Sequence, residues 1–160
     1  MGLTENQVNY AWSERVQAEV RSLYFAELAS RYTYRKQILV GASFFLSSSA
    51  AATVIAKLPA WIPAPLAVLS AIASAYSMAI DLDKRVATLV ELHCQWNQLC
   101  MDYDALWNHW YEDKAEETLR QLNKRASEAS GLGVKMPHDE PLVNKWEERV
   151  YARFRQAPAQ

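Results

Sequence analysis

The chain has 160 residues, a single domain's length, with 51% apolar and 22% charged residues and a formal net charge of −1. This balance excludes a disordered tail and a collagen-like repeat, and two cysteines exclude a disulfide scaffold. Charge is segregated: among 17 basic and 18 acidic residues, Lys57 alone falls within residues 38–80.

Thr4 and Gln7 have the spacing of a capping box, and Val8, Trp12, Val16, Val20, Tyr24, Leu28 and Tyr32 then recur every four residues. The pattern predicts one long amphipathic helix. Neither Gly nor Pro interrupts it between Leu3 and Gly41, so it has no stop signal before the apolar stretch that follows. Its polar face mixes Glu14, Arg15, Glu19, Arg21 and Glu27, which reads as solvated protein surface rather than a membrane-lying or nucleic-acid-binding face.

Residues 38–80 divide into two charge-free runs, 38–56 and 62–80, of 19 residues each. At ~1.5 Å per residue each reaches roughly 28 Å, the hydrocarbon thickness of a bilayer. The expected class is therefore an all-α membrane protein with a transmembrane hairpin. Pro59, Pro63 and Pro65 stand where a turn and a new helix start are needed, and Trp61 suits an interfacial position. Arg31, Arg35 and Lys36 precede the first run and Lys84 and Arg85 follow the second, against Lys57 alone between them; this asymmetry places both termini in the cytoplasm. The first 37 residues show no secretory leader pattern, leaving the hairpin as the targeting element. Three parts follow: an amphipathic helix over 1–37, the hairpin over 38–80 and a cytoplasmic helical domain over 81–160. The competing reading is a water-soluble bundle with a buried alanine-rich hairpin. The block's twelve Ala and seven Ser suit close helix contact in lipid, which makes a homo-oligomer the expected use of the hairpin.

Ser70, Ser74, Ser77 and Asp81 are spaced to share one helical face, and Ser43 and Ser47 form a shorter pair in the first run. These six are the pore-lining candidates, with Asp81 as a carboxylate ring that favours cations. The alternative has the serines bonding within or between helices and Asp81 pairing with Lys84 or Arg85.

After Asp81, the residues Leu82, Val86, Leu89, His93, Trp96, Cys100, Tyr103, Trp107 and Trp110 alternate steps of four and three as a heptad seam, flanked by an extra apolar line of Leu92, Leu99 and Leu106. The phase is lost around 111–116 and restarts at Leu119 and Leu122, predicting a bend or a second helix. Ala126 and Ala129 continue it until Gly131 and Gly133. A loop over 134–140 precedes a last helix opened by Pro141, with Leu142, Val143, Trp146, Val150 and Phe154 on its apolar side. Lys145, Arg149 and Arg153 form a basic stripe on that helix, the ligand-binding candidates for nucleotide phosphates or anionic headgroups, or else a solvated face.

No catalytic constellation emerges, and an enzyme is not expected. Cys94 and Cys100 lack the spacing of a zinc site, the acidic run of Glu112, Asp113, Glu116 and Glu117 has no paired histidine, and Gly131-Leu132-Gly133 lacks a dinucleotide-loop context. Neither a cofactor, a metal nor double-stranded DNA is implied.

The order of elements resembles the SLATT domains, two-helix membrane effectors associated with bacterial nucleotide-signalling conflict systems. The likeness lies in a helix ending in Arg31-Tyr32-Thr33-Tyr34-Arg35-Lys36, a short apolar hairpin, and Asp81-Leu82-Asp83-Lys84-Arg85 opening a long helix. It extends through residues 96–111, a loop with Pro137 and Pro141, and a final helix bearing Trp146. The resemblance implies an inner-membrane effector of antiviral defence that forms pores when an upstream sensor protein or a nucleotide second messenger triggers it. A membrane-anchored scaffold or ligand sensor without a pore is the alternative.

Overall fold

The computed structural model describes residues 2–55 and 63–156. Among them are five helices and no strand: α1 (Glu5–Ile55), α2 (Pro63–Ile80), α3 (Leu82–Asn108), α4 (Ala115–Gly133) and α5 (Glu140–Gln156). The expected turn at 57–61 and the last residue of the first run, Ala56, lie outside the described residues, as does Ile62.

The helix boundaries have local causes. At the start of α1 the Thr4 amide donates to Gln7 Oε1 (2.8 Å) and the Gln7 amide to Thr4 Oγ1 (3.4 Å), a reciprocal cap. With no Gly or Pro until Gly41, α1 continues for 51 residues. Asp81 separates α2 from α3 with φ 48°, in the left-handed region that Asp tolerates better than most residues. Residues 109–114 form successive tight turns, His109 N to Leu106 O, Glu112 N to His109 O and Ala115 N to Glu112 O, each 3.1 Å. Helix α4 then re-enters with Ala115, Leu119, Leu122, Ala126 and Ala129 buried, in the restarted phase. It passes through Gly131 and ends at Gly133. Asp139 caps α5, its Oδ1 accepting from the Leu142 amide at 3.1 Å, and Pro141 occupies the first turn, where a missing N–H costs nothing.

The described chain divides into two compact units, residues 1–28 with 88–160, and residues 29–87. Thus α1 and α3 each contribute to both units, whereas the sequence placed breaks at 37/38 and 80/81. In the first unit four helical segments bury Val20, Leu89, Leu92, Trp96, Leu99, Tyr103, Leu142 and Val150 almost completely. Leu92, Leu99 and Leu106 are therefore as deep as the seam they flank, while Trp110, expected in the seam, is exposed. An aromatic cluster of Trp12, Trp107 and Phe154 joins α1, α3 and α5, with centroids 5.0 and 5.2 Å from Trp12.

The second unit holds the latter part of α1, α2 and the start of α3, and large apolar side chains on it face outward. Among the described residues no helix is long and apolar enough to cross a membrane. The two spans expected over 38–56 and 62–80 are thus not established by the fold, which is all-α.

Candidate functional site

The candidate site is the helix pair of the second unit. Ser47 and Ser70 share a 2.7 Å hydrogen bond between their hydroxyls, and the Ser70 hydroxyl also lies within donating distance (3.4 Å) of the Ser43 carbonyl. Ser70 is buried. Three of the six pore-lining candidates, Ser43, Ser47 and Ser70, are therefore brought together as the polar contact between α1 and α2 within one chain.

Ser74 and Asp81 are not part of this contact. Ser74 is exposed, the side chain of Ser77 lies outside the described residues, and Asp81 is exposed beyond the end of α2. Ser70, Ser74 and Ser77 all belong to α2, whereas Asp81, with φ 48°, lies just past its end, so the helical spacing of the stripe does not extend to Asp81. Next to that break, Lys36 of α1 pairs with Asp83 of α3, and the Arg35 guanidinium lies 5.6 Å from the centroid of the Tyr32 ring.

Around the serine contact, Ile38, Val40, Phe44 and Phe45 of α1 and Val68, Leu69, Ile72 and Tyr76 of α2 are exposed, Phe44 by 75% and Phe45 by 70%. Ser70 is buried at this contact, Ser47 stays exposed, and the large apolar side chains around them are exposed as well, an arrangement unlike the core that water imposes. Exposed apolar side chains gathered on one pair of helices are the kind of surface that meets a membrane or a protein.

The basic stripe of α5 belongs to the first unit and is engaged there. Lys145 Nζ meets Glu27 Oε2 at 2.6 Å, the Trp146 indole N–H donates to the same oxygen at 2.9 Å, and Arg153 pairs with Glu19. Lys145 and Arg149 both lie about 5.2 Å from the centroid of the Trp146 ring. Two of the three cations thus hold α5 to α1. Periodicity missed this, because Glu27 and Lys145 are 118 positions apart; Glu19 and Glu27 on one helix and a basic stripe on another were the available signal.

Burial raises the Cys100 thiol above its ordinary value, and the Glu19 carboxylate adds to the shift while Arg15 opposes it. A thiol so raised is a poor nucleophile. Cys94 is exposed and both cysteines are free. Among the described residues no group of three His, Cys, Asp or Glu side chains is placed to hold a metal.

No protein-family model, curated protein or solved structure matches the chain.

Proposed function

We propose that this chain is a self-associating bacterial inner-membrane protein with both termini in the cytoplasm, which permeabilises or depolarises the membrane when triggered, as an effector of antiviral defence. The observation that carries the reading is the exposed apolar surface of the helix pair, Phe44, Phe45, Ile72 and their neighbours, beside a buried Ser70 bonded to Ser47. Lipid accepts apolar side chains at no cost, whereas water charges about 25 cal/mol for each Å² of such surface. Two further sequence features support it, the charge-free runs of 19 residues and the basic residues flanking them. The small residues of the hairpin provide the close approach through which copies associate.

The engagement of Lys145 and Arg153 leaves less of the α5 stripe for phosphate, so the trigger is assigned to a partner protein or to a nucleotide bound elsewhere. The test is membrane potential in cells producing the triggered protein, read with a voltage-sensitive dye, together with the mass of the detergent-solubilised assembly. Depolarisation and four or more chains are expected. Retained activity after replacing residues 38–80 by an unrelated membrane anchor would instead favour a scaffold. That second reading draws on the core that the first unit possesses by itself.

A further inference from the structure

We propose that the cleft between α1, the end of α4 and α5 binds a small bicyclic aromatic molecule with an anionic oxygen on one edge and an N–H donor on another, indole carboxylates being the simplest such compounds. The cleft lies within the first unit and does not rest on the membrane reading. Its volume is about 390 Å³, at the small end of ligand sites, which suits two fused rings better than a dinucleotide. Val20, Tyr24, Phe25 and Trp96 supply apolar and aromatic walls; Arg21 on α1 and Glu147 on α5 supply charges of opposite sign.

Two features assign the anionic edge to the Arg21 side. Trp96 is only 2% exposed, yet its indole N–H has no hydrogen-bond acceptor in the described structure. A buried donor left unpaired costs about 1–3 kcal/mol, and native folds rarely leave one without a reason. Directly over the same ring, 4.5 Å from its centroid, lies the Arg21 guanidinium, one of whose five N–H donors is used by Ser130 Oγ (3.0 Å). An oxyanion paired with the remaining guanidinium donors is held on this side of the cleft next to the Trp96 ring, where its field favours the buried indole N–H without touching it, and charge-assisted bonds to the guanidinium are the strong ones. The Glu147 carboxylate then accepts from an N–H on the ligand's other edge.

The walls are held in place without the ligand. Tyr24 Oη donates to the Pro137 carbonyl and accepts from the Asp139 amide, both at 3.2 Å, fixing the loop before α5, and Gln17 donates to Tyr151 Oη at 3.1 Å. At Gly133 an added Cβ would meet the Phe25 ring at 3.3 Å, so the end of α4 closes directly on this wall. Such preorganisation spares the ligand the cost of ordering its site.

The test uses the full-length chain in detergent, with tryptophan 15N-labelled at the indole nitrogen and the Trp96 signal assigned through Trp96→Phe. Titration with indole-3-carboxylate is expected to move that signal saturably. Indole-3-methanol, which lacks the anion, and the Arg21→Gln variant are each expected to bind at least tenfold more weakly. Naphthalene-2-carboxylate, which lacks the N–H, should bind more weakly than indole-3-carboxylate and be indifferent to Glu147→Gln. Because Arg21 also bridges to Ser130, Ser130→Ala separates folding from recognition, and it is expected to keep the affinity. The proposal is overturned by an immobile Trp96 signal at millimolar indole-3-carboxylate, by equal affinity for indole-3-methanol, or by a loss in Ser130→Ala as large as in Arg21→Gln.

Discussion

Glu27 is the residue through which the attachment of α5 to α1 can be measured. Its Oε2 accepts from Lys145 Nζ at 2.6 Å and from the Trp146 indole at 2.9 Å, so one oxygen serves two donors of the last helix. The ion pair itself contributes little, about 0.2–1 kcal/mol, because Lys145 remains 36% exposed and is screened by solvent. The indole bond to a charged acceptor carries more, about 1.5–3 kcal/mol. Glu27→Gln keeps an oxygen for the indole and loses only charge, so a cost of roughly 1 kcal/mol or less is expected. Glu27→Ala strands a half-buried indole N–H and should cost about 2–3 kcal/mol. The assay is urea unfolding followed by far-UV circular dichroism, with a double-mutant cycle of Glu27→Ala and Lys145→Met to isolate the ion pair. A Glu27→Ala cost below about 0.5 kcal/mol, or equal costs for the Gln and Ala variants, would refute the assignment of the stabilisation to the indole bond.

Three other outcomes are expected. Tyr103 is buried and donates to Asn123 Oδ1 at 2.9 Å, and burial raises its phenol above the ordinary value of 10.0, with Glu14 adding to the shift. Its contribution is therefore whole below pH 10 and is lost as pH rises further, so Tyr103→Phe should flatten the alkaline limb of a stability-against-pH curve. Maleimide should label exposed Cys94 well before Cys100 at pH 8, with Cys100 catching up only at higher pH; equal rates would contradict the raised thiol. Leu92→Ala empties a fully buried position in the line beside the heptad seam and should cost about 2–5 kcal/mol, whereas Val90→Ala, exposed on the same helix, should be nearly silent.

Local signals in the sequence located the helices well. The capping box of Thr4 and Gln7, the loss of phase before Ala115 and the proline at 141 each mark a boundary that depends on a few neighbouring residues. The uninterrupted α1 follows from the same kind of evidence, an absence of breakers up to Gly41. What periodicity did not resolve was which of two apolar lines on α3 is deeper, because both lie on faces covered by other helices. Nor did spacing reveal that Asp81 leaves the helix, since its left-handed backbone depends on how α2 and α3 meet. The roles of Lys145 and Arg153 depended on carboxylates more than a hundred positions away, and the Arg21 and Trp96 constellation likewise on residues 75 apart in sequence. Over 38–80 the serines were legible as a polar set, either a pore face or bonds within and between helices, and spacing did not say that Ser47 and Ser70 would be the pair that meets.

The proposed membrane insertion rests on the second unit, where Phe44, Phe45, Ile72 and Tyr76 are exposed. The direct measurement is flotation of the full-length protein with vesicles after an alkaline carbonate wash. An integral hairpin predicts that the chain rises with the vesicles and is released only by detergent. Recovery of the chain in the aqueous fraction after the wash would contradict the account.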